Sequence, residues 1–441
     1  MTVMSLHVVV IGAGIVGAAS AMELAREGHR VTILEPGEPG REQAASYGNG
    51  AWISPASVVP MSMPGLWKKV PSYLLDPLGP LTIRASEFPR LLPWLMRFLY
   101  AGATVAKVEA TARALSALLR DSPTRHMKLA AEAGVGDLIK QTGLLYVYPD
   151  RGAFEAEALA WRLRRDNGVR WRELSKEELR VTEPSLDARY EFGALVEAGA
   201  HCVDPGKYVA ALVSHARSQG ATVIKARAIG FNVRDGRLQA VRTDSGEIQC
   251  DRAVVAAGIQ SKSLAFEAGD RVSLESERGY HVVISDPEAA PRIPLMPSDG
   301  KMANTLTLKG LRASGQVELA SVNAPPNWKR ALVLLDHALR TYPQLPRQVP
   351  EERISRWMGH RPSTPDGLPV IGPSRASSDI IYAFGHGHVG LAAGPATASI
   401  VADILAKRPS PAPLSVYAPS RFRMWLSSYP SSSEEPSTRH A

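Results

Sequence analysis

The run HVVVIGAGIVG at residues 7–17 constrains this chain more than any other feature. An apolar stretch breaks into Gly12-x-Gly14-x-x-Gly17 and runs on into a helix-spaced segment of small residues. A second apolar run, VTILE, then ends on Glu35. Strand, glycine turn, helix, strand and terminal acid, in that order, describe the opening unit of a doubly wound sheet that binds a dinucleotide. The glycines allow a tight turn and close approach of a pyrophosphate to the helix N-terminus, where Ile15, Val16 and Gly17 supply backbone N–H groups. Glu35 suits free ribose hydroxyls and disfavours a 2′-phosphate, which would set two anions together.

Far downstream come GHRPSTPDG (359–367) and FGHGHVG (384–390). Arg361, in a turn stiffened by Pro362, Pro365, Asp366 and Gly367, reads either as a bidentate partner for a substrate carboxylate or as a structural partner of Asp366. Gly385, Gly387, Val389 and Gly390 precede a small-residue helix, so backbone donors can face an electron-rich ring. Alternation sets His386 and His388 on one face, and both are catalytic candidates. With no acid or cysteine beside them in sequence, no metal is expected. Ser46, Asn49 and Gly50 follow the second strand in a loop that can lie over a pyrophosphate, or simply make a turn. Ala257 and Gly258 end DRAVVAAG (251–258), a buried strand of the kind that returns to the nucleotide sheet. A nucleotide site built from both ends of a chain points to a flavoenzyme.

The remaining composition narrows the class. At 441 residues and 45% apolar content the chain can bury more than one core. The excess of 51 basic over 43 acidic residues is dispersed, which reads as solvated faces and not nucleic-acid binding, although it can favour anionic substrates. Two separated cysteines, Cys202 and Cys250, fit neither a disulfide framework nor a metal site, so a cytoplasmic protein is expected. No apolar stretch reaches about 18 uninterrupted residues.

Periodicity predicts strands at 7–11, 30–35, 141–149 and 278–284, and helices at 15–27, 103–133, 153–168, 175–180 and 391–406. Residues 55–100 are rich in proline and large apolar side chains. They predict short helical pieces and turns, with peripheral contact at the inner membrane one use for them. The fold class expected is α/β (α+β overall), a nucleotide domain interleaved with an antiparallel-sheet substrate domain. The nucleotide domain takes 1–55, 192–262 and 350–425, the substrate domain takes 56–191 and 263–349, and 426–441 form a disordered tail.

Taken together, the fingerprint, the loop ending Asn49-Gly50, GHRPSTPDGLPVIG (359–372) and FGHGHVG resemble the D-amino acid oxidase superfamily of FAD-dependent oxidoreductases. The resemblance covers nearly the whole chain and is nearest the D-amino acid dehydrogenases. PASVVPMSMPG (55–65), LLDPLGPLTIR (74–84), PWLMRFLYAG (93–102), ERGYHVVISDPEAAPRIP (277–294) and APPNWKRA (324–331) are similar to bacterial glyphosate oxidoreductases. The resemblance implies a Rossmann-like FAD-binding domain and non-covalent FAD. It implies oxidation of the C–N bond of an amino acid or N-substituted glycine to an imine, hydrolysed to an oxo acid such as glyoxylate plus an amine. The alternatives are a D-amino acid dehydrogenase that gives a 2-oxo acid and ammonia and passes electrons to a quinone, or a flavin-binding subunit of a larger complex. Oxygen and quinone both stay open as acceptors, and so does the oligomeric state. Carried over, Arg361 would grip the substrate carboxylate and His388 would make a second substrate contact near the flavin. Tyr280 would line the substrate side of the ring, Ala228 would touch the adenine portion through its backbone, and Gly359 would lie beside the cofactor. One departure is Gly48-Asn49-Gly50, where relatives often carry Asn-Ala-Gly.

Overall fold

A computed structural model describes residues 5–69, 78–79, 81–410 and 413–425; the expected tail at 426–441 lies outside them. The chain builds two large sheets. The first has six strands in the order Thr222–Ile224, Arg30–Leu34, His7–Ile11, Arg252–Val255, Ile380–Phe384, Val370–Pro373. All neighbours are parallel except the last pair. His7–Ile11 is flanked by the second strand on one side and by Arg252–Val255 on the other. The glycine turn that follows it therefore opens at the point where the strand order reverses. Val8, Val9 and Val10 are fully buried, as a strand covered on both faces requires.

Helix Ile15–Arg26 packs on one side of this sheet against Gly390–Leu405. Small residues permit the approach: a Cβ at Gly394 would lie 2.9 Å from Ile15 Cγ1. Gly387–Leu405 is long and apolar enough to cross a membrane, yet 67% of it is buried inside the protein, so its apolarity is accounted for by the core.

The second sheet has nine strands. Eight run Ile354–Ser363, Glu275–Ile284, Gly310–Leu319, Ala303–Thr307, Leu295–Pro297, Leu144–Tyr148, Phe192–Val196 and Arg172–Leu174, and Leu81–Ile83 joins Gly310–Leu319. It is antiparallel apart from two joins. Two segment borders differ from those expected. Phe192–Val196 pairs with Leu144–Tyr148, and Ile354–Ser363 pairs with Glu275–Ile284. Both therefore belong to the inserted sheet and not to the nucleotide-binding segments.

Several elements depart from their predicted lengths. The helix expected at 103–133 is two, Val105–Leu119 and Ser122–Glu132, because Pro123 can start a helix but not continue one. The helix expected at 153–168 is likewise split, into Arg151–Glu155 and Ala158–Asp166. Conversely, Phe88–Ala101 is one 14-residue helix where short pieces were expected. Pro89 sits in its first turn, and Pro93 costs a hydrogen bond that packing of Leu91 and Trp94 into the core offsets.

Candidate active site

At the carboxyl end of the six-stranded sheet, the three fingerprint glycines have different physical reasons. Gly12 has φ +101°, and a Cβ there would lie 2.6 Å from the Ala256 carbonyl oxygen. A Cβ at Gly17 would lie 1.9 Å from the Gly12 carbonyl oxygen, so helix and turn touch backbone to backbone. At Gly14, among the described residues, a Cβ would meet just the Ser46 hydroxyl within 4 Å, at 3.4 Å. Gly14 thus opens a cradle at the helix N-terminus that suits a pyrophosphate. Ser46 Oγ accepts from the Ile15 N–H at 3.0 Å and closes one side of it, while Val16 is buried behind it in the core.

Glu35 is buried. Its Oε2 accepts from the Ala13 N–H at 2.8 Å and its Oε1 from the Gly37 N–H at 3.1 Å. Its own N–H donates to the Ile224 carbonyl, and Ala228 lies four residues farther along, opening a three-stranded antiparallel sheet. Ala257 and Gly258 follow the strand next to the fingerprint strand, and Ala256 donates to the Ile11 carbonyl. The first strand, its acid and the return strand thus converge on one turn.

The loop 46–51 carries the site onto the nine-stranded sheet. His281 Nδ1 contacts the Gly48 carbonyl at 3.1 Å, and Arg312 Nη1 donates to the carbonyls of Tyr47 and Asn49. Thr305 donates to the Gly50 carbonyl. Asn49 Oδ1 accepts from the Ala51 N–H at 2.9 Å and supports Ala51 at φ +68°. The glycine at 48 has a direct cause, since a Cβ there would lie 2.0 Å from the Trp357 indole. The same indole covers Gly359 at 2.0 Å and stacks on His281 at 5.2 Å. Gly359, expected beside the cofactor, packs directly beneath Trp357.

Arg361 lies on the same face. Its guanidinium sits over Gly279, where a Cβ would come within 2.2 Å, and donates to the carbonyls of Gln316 at 2.9 Å and Gly315 at 3.4 Å. Asp366, the alternative partner, is bound to Arg421 at 2.8 Å. Among the described residues Arg361 makes no ion pair. Glu277, its register partner on the next strand, faces the same side. Burial pulls the guanidinium below its ordinary value, and the Glu277 charge opposes that pull.

Residues 385–390 form a turn and a short 3-10 segment, not a strand, so His386 and His388 do not share a face. His386 is buried, its Nε2 is 2.8 Å from the Thr397 hydroxyl, and burial pushes its pKa down to about 4. As a catalytic candidate it thus stands as a neutral, buried ring bonded within the protein. His388 remains about a third exposed and places Nε2 2.7 Å from Glu277 Oε2. Gly385 and Gly387, at φ +83° and +50°, make the turn that delivers it, and Val389 and Gly390 lead into the helix.

Tyr280, expected on the substrate side of the ring, faces away from Arg361. Strand alternation turns it away from Gly279 and Arg361, and its hydroxyl donates to Glu318 at 2.5 Å and accepts from the Asn327 N–H. Burial pushes its pKa up to about 12. Glu277 and Trp357 were missed. The available signal was alternation: Glu277, Gly279 and His281 share a face, and a carboxylate on a buried strand needs a partner.

The sequence matches the family "DAO: FAD dependent oxidoreductase" over residues 7–404. A protein named D-amino-acid oxidase from Bradyrhizobium diazoefficiens is 55% identical over 416 residues, 94% of this chain and 99% of that one. A D-amino acid dehydrogenase from Paramagnetospirillum magneticum is 30% identical over 427 residues, 96% of this chain and 100% of that one. Among solved structures, L-proline dehydrogenase from P. horikoshii superimposes with a TM-score of 0.72 at 20% identity, covering 96% of this chain and 98% of that one.

Proposed function

From a chain that belongs to the DAO family of FAD-dependent oxidoreductases, we propose an enzyme that oxidises the Cα–N bond of an amino acid to an imine. Water then hydrolyses the imine to an oxo acid and an amine or ammonia. The observation that carries this reading is Arg361: a partly buried guanidinium on the sheet face that meets the nucleotide turn, bonded to backbone carbonyls and to no carboxylate among the described residues. A bound α-carboxylate completes its coordination and fixes the Cα–H.

Gly14, the N-terminus of helix Ile15–Arg26, Ser46 and Glu35 would hold the pyrophosphate and ribose of FAD. FAD supplies the hydride acceptor that no side chain can provide. The chain's own part is to bind the carboxylate on Arg361, exclude water and keep the amine neutral at the moment of transfer. Binding is non-covalent on this reading.

The 55% identical relative supports D-amino acids. N-substituted glycines stand beside them through the motif resemblance, since Arg361 reads only the carboxylate. Purified single chain, supplied with each substrate class and a dye acceptor, tests the reading through its products. A 2-oxo acid with ammonia, or glyoxylate with an amine, supports it and counts against a purely accessory subunit. The absence of both refutes it.

Electrons pass to oxygen or to a quinone. Helix Phe88–Ala101 turns Phe88, Leu92, Met96 and Tyr100 to solvent at successive turns, which supports peripheral contact with a membrane carrying a quinone. Failure to co-sediment with anionic liposomes counts against that contact.

A further inference from the structure

Among the described residues, Glu277 is the carboxylate buried on the active face beside Arg361. It is 4% exposed, and its Oε2 lies 2.7 Å from His388 Nε2. A carboxylate that loses water is costly unless a positive or hydrogen-bonded partner replaces it. Here burial alone would push the carboxyl up, but the neighbouring imidazole and the Arg361 guanidinium hold it below its usual range. A purely structural pair would normally be closed off, whereas His388 keeps about a third of its side chain exposed. With Nε2–H donated to Glu277, its Nδ1 carries the ring's free lone pair.

Substrate arrives as a zwitterion. Once its carboxylate lies on Arg361, its ammonium is attached one carbon away, on the face that Glu277 and His388 occupy. We propose that His388 is the proton acceptor that converts the bound substrate ammonium to the neutral amine, with Glu277 the positioning residue that fixes its tautomer and balances the imidazolium. The substrate N–H bond breaks and its electron pair stays on nitrogen. The proton forms a new N–H bond at His388 Nδ1 and leaves to solvent through the exposed edge of the ring. Nothing is oxidised in this step. The proposal rests on amine oxidation at Arg361 and names the residue that prepares the substrate for it.

The surrounding charges leave this pair intact. On the strand Glu275–Ile284, Glu275 is taken by Arg90 and Lys262, and Arg278 alternates to the other face. On Ile354–Ser363, Arg361 is the facing charge, while His360 Nδ1 is bonded to Ser276. His386, in the same turn as His388, is held by Thr397, and Asp366 by Arg421.

The test uses holoenzyme and anaerobic reduction by D-alanine across pH, with the flavin spectrum confirming occupancy of each variant. Wild type should reach its kcat/KM plateau well below the titration of the substrate ammonium. In His388→Asn the rising limb should move up to that titration, with kcat/KM at neutral pH at least tenfold lower. In Glu277→Gln, which keeps size and hydrogen bonding, the His388 ring signal in a 15N-histidine NMR titration should move to lower pH. A profile identical in His388→Asn and wild type, or an unmoved His388 titration in Glu277→Gln, overturns the assignment alone. A flavin that no amino acid reduces at any pH overturns the reading beneath it as well.

Discussion

Replacing Arg361 by alanine removes the guanidinium that lies over Gly279 on the active face and makes no ion pair among the described residues. The Gln316 and Gly315 carbonyls lose a donor, but water can enter the space over Gly279 and satisfy them. The larger loss falls on the substrate, whose carboxylate would then be desolvated without a counter-charge. Truncating one partner of a buried, hydrogen-bonded charge pair costs about 2–5 kcal/mol. This corresponds to a fall of roughly 30- to 4,000-fold in kcat/KM at about 1.4 kcal/mol per factor of ten. The assay compares Arg361→Ala with wild type on an amino acid and on the amine that lacks its carboxylate, under a dye acceptor. The loss should appear only with the amino acid, mostly in KM, while the flavin spectrum stays unchanged. Equal losses on both substrates, or no loss on either, would refute the role of Arg361 as carboxylate anchor.

A methyl group at Gly17 would lie 1.9 Å from a backbone oxygen that cannot swing aside. Gly17→Ala should therefore cost ~1–3 kcal/mol and strip most of the flavin from purified protein; full flavin content with an unchanged Tm would contradict this. The pH dependence of stability follows from buried histidines. Burial, the largest cause in each case, holds His126, His201, His360 and His386 at about 4 and His281 at about 3. A histidine whose folded pKa is depressed contributes fully above about pH 6.5 and opposes folding as pH falls toward 4, by roughly 1.4 kcal/mol per unit of difference. Glu183, pushed up to about 7 by burial, works the other way, but five groups outweigh one. Tm should therefore hold from pH 8 to 7 and drop by several degrees by pH 5, and a Tm that rises on acidification would contradict the account.

The nucleotide turn was legible because its constraints are local. Glycine spacing, a following small-residue helix and an acid ending the next strand all lie within one short segment, and each has a steric counterpart in the fold. Arg361 was legible as a candidate but not as a choice; the Asp366–Arg421 pair separates its two readings, and it joins residues far apart in the chain. The orientations of His386 and Tyr280 were not legible, for one reason. Each was assigned a side from strand alternation or family position, while the 3-10 turn at 387–389 and the register against Gly310–Leu319 decide which way they point. Glu277 escaped notice because a carboxylate's meaning depends on what the fold sets opposite it, and His388 is more than a hundred residues away. Helix Phe88–Ala101 shows tertiary packing overriding a proline signal.

The most direct test of the central claim is the absorbance spectrum of the purified protein before and after anaerobic addition of a D-amino acid or an N-substituted glycine. The account predicts oxidised flavin bands that bleach on addition, with FAD released into solution on denaturation. A protein that stays colourless after incubation with FAD, or flavin bands that no amino acid bleaches, would contradict it.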